Sequence, residues 1–302
     1  MIAEDLLPYR SDEFFVDGAP EKNRTMRYLD EGPRDAPVIL CVHGNPTWSF
    51  YFRRVVQRFA PTHRVIAVDH LGCGRSDKPP TTDFDYCLAG HRDNLVRLID
   101  HLDLGGVTLL AHDWGGAIGL SALVERADRF EKIILLNTAA FPPPYLPFRI
   151  AVCRWPVFGP LAVRAGNAFA RAAQTMTTSR GPLSPDAKRG LIAPYDSWKN
   201  RVAINAFVRD IPMHRSHRTH AVLSDLESRL PSLDQPKLLV WGMQDWCFRP
   251  ECLRRFQTLW PNAESVEIED AGHYVLEDAP EETLAAVARF LDVDAPSAQQ
   301  AG

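Results

Sequence analysis

Residues 107–116 read VTLLAHDWGG, an apolar run followed by a histidine, an aspartate, a tryptophan and two glycines. The run Val107–Leu110 is typical of a buried strand, and the residues that follow are typical of a helix. Ala111 and Gly115 are small, so the chain can turn sharply between strand and helix without a clash. The pattern predicts a nucleophile elbow, a turn that usually presents serine, with Asp113 in the serine's place.

An aspartate at this position changes the chemistry that the elbow can perform. A serine must lose a proton before it attacks, whereas a carboxylate with an ordinary pKa of about 4 is already ionised at neutral pH. Attack by Asp113 would leave an ester on the protein, and a histidine would then be free to activate water against that ester. Such chemistry suits activated sp3 carbons and strained rings.

Further apolar runs alternate with helical patterns along the chain. Continuous apolar runs of four or five residues between helices indicate a parallel sheet that is covered on both faces. We therefore predict an α/β fold with a mostly parallel sheet. The runs occupy residues 38–42, 65–68, 107–111, 133–136, 238–241 and 265–268.

The alternation fails after the fourth run. The sequence FPPP at residues 141–144 breaks the chain, and the residues up to about 230 read as helices joined by proline-containing loops. We predict a helical cap, or lid, at 141–230, inserted into a core that comprises 1–140 and 231–302.

Length and composition are those of an ordinary globular enzyme. A chain of 302 residues with 45% hydrophobic residues can bury one large core and still carry an inserted subdomain. Glu4, Asp5 and Pro8 stand where a signal peptide needs basic and apolar residues, and no run approaches the ~18 apolar residues of a membrane span. We expect a cytoplasmic protein whose residues 294–302 are disordered. The six scattered cysteines predict free thiols.

The predicted cap is strongly basic. Residues 149–220 contain 12 Lys and Arg against three acidic residues, although the whole chain has a net charge of −4. One interpretation is that these cations only solvate the outer faces of small helices. The other is a docking face for an acidic partner protein or an anionic surface. Nucleic acid is not expected beside an enclosed active site.

The loop HGNPTWS at residues 43–49 follows an early strand and should face the elbow. The side-chain amide of Asn45 and the indole N–H of Trp114 can each donate a hydrogen bond to a developing anion. Alternatively, Asn45 only shapes a turn and Trp114 only fills the seam between cap and sheet. Their occurrence together with Asp113 favours the functional interpretation.

Two later strand ends carry the other members of a triad. Asp245 follows the run at 238–241, and His273 follows the run at 265–268. The order of nucleophile, acid and base is that of α/β-hydrolases. Asp245 would accept the Nδ1 proton of His273 and stabilise the imidazolium that forms when His273 takes a proton from water.

Two other patterns carry no site in our interpretation. His214, His217 and His220 are each separated by three positions, so on a helix their side chains would point in progressively different directions. The arginines between them would also repel a cation. Residues 72–77, GCGRSD, lack both the third glycine of a dinucleotide loop and the Gly-Lys-Ser/Thr of a phosphate loop. We predict a strand-end loop there, and neither a metal nor another cofactor.

Nearly the whole chain resembles the haloalkane dehalogenase branch of the α/β-hydrolases. The segments HGNPT at 43–47 and HDWG at 112–115 are similar to that family's two signatures. In many dehalogenases the acid follows the strand after the elbow, but here residues 133–138, IILLNT, offer no carboxylate. The resemblance therefore implies that Asp245 serves, as in the family's third subfamily.

Within that subfamily the chain is similar to the β-lactone decarboxylases of bacterial long-chain olefin biosynthesis. The similarity lies in DHLGCG at 69–74, NTAAFP at 137–142, APYDSW at 193–198 and FVRDIP at 207–212. It implies conversion of a cis-3,4-dialkyl β-lactone to a cis-alkene and carbon dioxide, with the other enzymes of that pathway as candidate partners of the basic cap. Attack by Asp113 at the ring carbonyl and attack at the alkyl carbon are both left open.

Three other functions share parts of this pattern. A dehalogenase would use the same five residues. An epoxide hydrolase usually has an aromatic residue in place of Asn45 and needs two cap tyrosines, for which Tyr145 and Tyr195 are the candidates. A catalytically dead binding module would not need an intact triad. Apolar cap residues are candidates either for a slot that holds two alkyl chains or for core packing: Leu161, Val163, Phe169 and Ile204.

Overall fold

The computed structural model describes residues 4–18 and 24–293. The tail at 294–302, which we expect to be disordered, lies outside the described residues. The strands are β1 Ser11–Phe15, β2 Thr25–Glu31, β3 Val38–Val42, β4 Arg64–Asp69, β5 Val107–Asp113, β6 Phe130–Thr138, β7 Lys237–Gly242 and β8 Glu264–Ile268.

These strands form one sheet in the order β1-β2-β4-β3-β5-β6-β7-β8. β2 is antiparallel to both β1 and β4, and the other neighbouring pairs are parallel. The predicted α/β fold with a mostly parallel sheet is thus confirmed, and the six apolar runs correspond to β3–β8. The sequence pattern did not reveal β1 and β2, because half-buried polar residues interrupt the apolar ones in both strands.

Twelve α-helices accompany the sheet in the described residues. They are α1 Arg53–Phe59, α2 Leu88–His101, α3 Trp114–Glu125, α4 Phe148–Val152, α5 Phe158–Pro160, α6 Ala168–Met176, α7 Pro185–Ile192, α8 Val202–Asp210, α9 Arg218–Arg229, α10 Pro250–Leu259, α11 Val275–Asp278 and α12 Pro280–Phe290. A π-helical turn, Leu161–Ala165, joins α5 to α6. Each described helix is too short or too polar to cross a lipid bilayer.

The sheet is covered on both faces, which explains the continuous apolar runs. Within β3, Leu40 packs into the core layer that contains α2, α3, α9 and α10, whereas Ile39 and Cys41 pack into the layer that contains α1 and α12. Because neighbouring side chains of a strand point to opposite faces, a strand buried on both sides needs an apolar residue at every position. The six cysteines are free thiols.

Helices α4–α9 lie between β6 and β7, where we predict the cap. α9 packs against α2 and α3 of the sheet layer, so the position of the boundary near residue 230 stays a prediction. Several basic residues of this insertion form ion pairs with acidic residues of the remainder. Arg180 contacts Asp270 and Glu282, each at 2.7 Å, and Arg218 pairs with Asp85.

Candidate active site

Asp113 is the last residue of β5 and stands at a sharp turn. Its φ of 54° and ψ of −132° lie outside the usual regions, and α3 begins at the next residue. A Cβ atom at Gly115 would collide with the carbonyl oxygen of Val42, and one at Gly116 would collide with the side chain of Thr138. The elbow therefore needs small residues because the backbone of β3 and the end of β6 lie directly against it.

The carboxylate of Asp113 is held between two segments. The backbone N–H of Asn45 donates to Oδ1 at 2.6 Å, and Nε2 of His273 lies 3.5 Å from Oδ2. A Cβ atom at Gly44 would overlap the carboxylate. The loop after β3 thus wraps around the Asp113 side chain, which is buried and still lines a cavity.

Two buried histidines support that loop. Nδ1 of His43 lies 2.7 Å from the carbonyl oxygen of Gly44, and its Nε2 accepts a hydrogen bond from the backbone N–H of His70 at 3.1 Å. Burial lowers the pKa of His43 far below its ordinary value and that of His70 to about 4. Both rings are therefore neutral at physiological pH and hold the backbone without adding charge.

His273 and Asp245 meet at the carboxyl ends of β7 and β8. Nδ1 of His273 lies 2.7 Å from Oδ2 of Asp245, whose side chain is fully buried. The backbone N–H of Cys247 donates to the other carboxylate oxygen at 2.7 Å. The structure thus brings Asp113, Asp245 and His273 into one line, with the imidazole between two carboxylates.

Asn137 is a member of this site that our reading of the sequence missed. Its Nδ2 donates to Asp245 Oδ2 at 2.9 Å and to the Gly242 carbonyl oxygen at 3.1 Å, and its Oδ1 accepts from the Gly242 N–H at 2.8 Å. It stands at the end of β6, where many dehalogenases place their acid. A polar residue that directly follows a buried apolar run at the carboxyl end of a strand was the available signal.

The charge of His273 follows from its neighbours. Burial by itself would lower the pKa of this imidazole, but the negative charge of Asp245 and hydrogen bonds with Asp113 and Asp245 outweigh burial and raise the pKa to about 10. In the unreacted protein His273 is therefore an imidazolium at neutral pH. If Asp113 were converted to a neutral ester, one of those two attractions would disappear and the imidazolium would become easier to deprotonate.

Asn45 and Trp114 lie at the cavity wall beside Asp113. Nδ2 of Asn45 donates to the carbonyl oxygen of Ile204 at 3.3 Å, and its Oδ1 makes no hydrogen bond with a described residue. An amide nitrogen carries two hydrogens, so one remains for a bound anion. The contact with Ile204 also places α8 of the insertion directly behind this side chain.

A cavity of about 520 Å³ opens in front of Asp113 and His273, with a mainly apolar wall. Of the four cap residues considered for a slot, only Phe169 lines it; Val163 and Ile204 are fully buried in a core layer and Leu161 is exposed. Of the two alternatives, the slot therefore applies to Phe169 and core packing to Val163 and Ile204. The insertion contributes Phe141, Pro143, Tyr145, Leu146, Pro147, Arg149, Ile150, Cys153, Ala168, Phe169, Ala172, Ala173, Met176, Thr177, Val208, Ile211, Pro212 and Leu223.

The two candidate tyrosines do not form an acid pair in this cavity. The hydroxyl of Tyr145 donates to the carbonyl oxygen of Cys247 at 2.8 Å, and that of Tyr195 donates to the carbonyl oxygen of Thr47 at 3.1 Å. Tyr195 is fully buried and is not among the described residues that line the cavity. The arrangement that an epoxide hydrolase needs is therefore not present in the described residues.

The two patterns that we set aside have ordinary structural roles. His217 is the N-cap of α9 and its ring accepts a hydrogen bond from the Thr219 N–H at 3.3 Å. Within the ranges that the structure describes, no group of three potential ligands is placed to hold a metal. Residues 72–77 form the predicted loop after β4, where the Arg75 N–H donates to Asp69 at 2.9 Å.

Comparisons with known proteins agree with this architecture. A family described as having the alpha/beta hydrolase fold matches residues 37–280. The chain is 36% identical to a cis-3-alkyl-4-alkyloxetan-2-one decarboxylase of Shewanella oneidensis, covering 95% of this chain and 90% of that protein. It is 38% identical to the protein of the same name from Xanthomonas campestris pv. campestris, covering 88% and 92%. The crystal structure of a haloalkane dehalogenase from Agrobacterium tumefaciens C58 superposes with a TM-score of 0.79 at 27% identity, covering 94% of each chain.

Proposed function

From its place in the α/β-hydrolase fold family, to which this chain belongs, we propose that the protein converts cis-3,4-dialkyl β-lactones to cis-alkenes and carbon dioxide. The observation that carries the proposal is the Asp113 carboxylate, which faces an apolar cavity in a chain 36–38% identical to two proteins named as such decarboxylases. An apolar cavity of about 520 Å³ suits a substrate with alkyl arms on both sides of a small polar ring.

In this proposal each predicted site residue has one task. Asp113 is the nucleophile. The side-chain N–H groups of Asn45 and Trp114 donate hydrogen bonds to the lactone oxygen that becomes anionic. Asp245 orients His273 and keeps it charged, and the imidazolium, 3.5 Å from Asp113, positions the nucleophilic carboxylate. No cofactor is required, because the strain of the ring supplies the driving force for its opening.

We propose attack at the alkyl carbon of the ring. Asp113 forms a C–O bond there, the ring C–O bond breaks, and its electron pair becomes part of a free carboxylate. The bond from that carboxylate to the neighbouring carbon then breaks, its electron pair forms the double bond, and the Asp113 oxygen leaves with the pair of its own C–O bond. The attack inverts one carbon and an anti elimination follows, so a cis lactone gives a cis alkene with no net proton transfer.

Attack at the carbonyl requires a longer path. It yields a mixed anhydride and an alkoxide, which must attack the Asp113 carbonyl before carbon dioxide can leave, and the ring oxygen then remains on Asp113. A lactone labelled with ¹⁸O in the ring oxygen separates the two routes in a single turnover with excess enzyme. Under our proposal the peptide that contains Asp113 gains no mass; a gain of about 2 Da on that peptide would establish attack at the carbonyl.

Haloalkane dehalogenase is the second candidate function, because the fold and the Asn45–Trp114 pair beside Asp113 suit halide release equally. The deciding experiment offers the purified protein a long-chain cis β-lactone and, separately, a 1-bromoalkane of matched length. We expect stoichiometric cis alkene from the first and bromide at the background rate from the second. Bromide release without alkene would replace the proposal with the dehalogenase. An Asp113→Ala variant is the control in both assays.

Three finer points belong to the same proposal. Residues 141–230 act as a cap over the cavity, the protein works in the cytoplasm, and acidic enzymes of olefin biosynthesis bind its basic outer face.

Arg215 is exposed, whereas Arg218 is already paired with Asp85. Arg215→Glu should therefore weaken association with a co-expressed partner more than Arg218→Glu, as measured by light scattering. Association that neither change nor about 1 M salt weakens would show that the basic face is only solvated surface.

A further inference from the structure

Among the described residues, the large apolar side chains that are most exposed to solvent are concentrated in one stretch of the insertion. We call this stretch, residues 148–161, the apolar segment. Phe148 and Val157 are each 74% exposed, and Trp155, Phe158 and Leu161 are each more than half exposed. They are five of the seven large apolar side chains that stand out as exposed among the described residues. A cluster of this kind marks an interaction surface, whereas scattered single residues would not.

The apolar segment is a formed structure that holds these side chains outward. Val157 has a φ of 64°, which is rare for a β-branched residue, and the Gly159 N–H donates to the Trp155 carbonyl oxygen at 2.9 Å. A Cβ atom at Gly159 would collide with the Cys153 carbonyl oxygen. Arg154 ties the segment to the rest of the insertion by donating to backbone carbonyls at the end of α8.

The same segment borders the cavity. Arg149, Ile150 and Cys153 contribute to the cavity wall, whereas Phe148 and Trp155 on either side of them are exposed. The apolar outer surface and the apolar inner wall are therefore two sides of one short stretch of chain. A molecule that binds the outer surface lies within a few residues of the route to Asp113.

The stretch of sequence that contains the apolar segment carries charge of one sign. No aspartate or glutamate occurs between Glu131 and Asp186, a stretch that contains five arginines. Arg149, Arg164 and Arg171 make no ion pair with a described carboxylate, and Arg164 stacks on the exposed Trp198 with 4.4 Å between guanidinium and ring. Exposed aromatic side chains beside unpaired cations are complementary to a surface that is apolar inside and anionic outside.

A second copy of the chain fits this surface poorly. A two-fold symmetric dimer would place the same patch against itself and bring the unpaired arginines together. We propose instead that the apolar segment inserts into the surface of an anionic phospholipid membrane, from which the alkyl chains of the substrate pass into the cavity. The membrane contact stands on the exposed side chains and charge; only the identity of the cargo rests on the proposed function.

The test is flotation of the full-length protein with vesicles of phosphatidylcholine alone or with about one third phosphatidylglycerol. We expect binding to the anionic vesicles, with at least about tenfold weaker binding to the neutral ones. A Val157→Glu/Phe158→Glu variant should lose at least about tenfold in binding to the anionic vesicles. Thr258→Glu, which adds a charge at an exposed position of α10, is the matched control and should bind as the parent does.

The outcomes separate this proposal from its rivals. No flotation with anionic vesicles, or flotation that the Val157/Phe158 variant retains, overturns the membrane contact. Concentration-dependent dimers that the same variant abolishes, without vesicle binding, would assign the surface to a second copy, and capture of acidic proteins alone would assign it to a protein partner. Turnover of a short, water-soluble lactone should be unchanged in the variant. Vesicle binding by a protein that makes no alkene would refute the proposed function and leave the membrane contact standing.

Discussion

The charge of His273 offers a quantitative test of the site. Because Asp113 and Asp245 lie on either side of the ring, its pKa is raised from 6.5 to about 10. A raised pKa means that the folded state holds the proton more tightly than the unfolded state. The resulting contribution to stability is fully present below pH 6.5 and is lost as the pH rises through 10.

The magnitude follows from the size of the shift. A change from 6.5 to about 10 corresponds to roughly 5 kcal/mol, at about 1.4 kcal/mol for each pKa unit. Asp245→Asn keeps the shape of the side chain and removes its charge, so it should lower the pKa of His273. The unfolding free energy of this variant should then depend much less on pH between 6.5 and 10 than that of the parent protein.

Two measurements check this prediction. Imidazole ¹⁵N NMR titration should show one histidine that remains protonated to high pH in the parent and titrates lower in Asp245→Asn. Denaturant unfolding at pH 6.5, 8 and 10 should show the parent losing several kcal/mol while the variant loses less. Asp128→Asn, at an exposed carboxylate far from the site, is the control. An unchanged histidine titration in Asp245→Asn would refute the geometry on which the mechanism rests.

Three further changes probe the elbow and the cycle. Asp113→Ala should abolish turnover in a protein that still folds, because it removes the nucleophile; activity within tenfold of the parent would contradict that role. His273→Phe should slow product formation at least tenfold. If breakdown of the adduct is slower than its formation, intact-protein mass spectrometry after incubation with a 1-bromoalkane or a β-lactone will show an adduct on Asp113. Catalytic cycling of this variant at the parental rate would refute the role of His273. Gly115→Ala should lower the unfolding free energy by about 2–4 kcal/mol in denaturant titrations, because the added methyl meets the Val42 carbonyl; an unchanged midpoint would show that the elbow can relax.

The parts of the fold that could be predicted are those with a local signal. β3–β7 were visible because each contains a run that is buried on both faces and is therefore apolar, and the elbow was visible because close backbone packing demands small residues. β1 and β2 mix apolar residues with half-buried polar ones and lack such a signal. The proximity of Asp113, Asp245 and His273 was predictable because each lies at the end of a recognisable strand or within a few residues after it.

Other parts depend on contacts that local patterns do not encode. The hydrogen bond from Asn137 to Asp245 joins positions more than 100 residues apart, and it becomes apparent only when β6 and β7 lie side by side. The division of apolar cap residues between cavity and core depends on how α6 and α8 are rotated, so Phe169 lines the cavity and Ile204 does not. Likewise, net charge could not show that Arg180 is engaged by core acids.

The hydrogen bond from Asn45 to the Ile204 carbonyl has a consequence for protein engineering. A donor on the core loop is oriented by a backbone atom of the insertion, 159 positions later in the chain. Core and insertion are therefore not interchangeable parts: a chimera that receives its insertion from a relative keeps the orientation of Asn45 only if a carbonyl arrives at the same place. Grafts intended to alter chain-length preference should retain the start of α8, residues 202–205, from the recipient, and exchange only the helices that precede it.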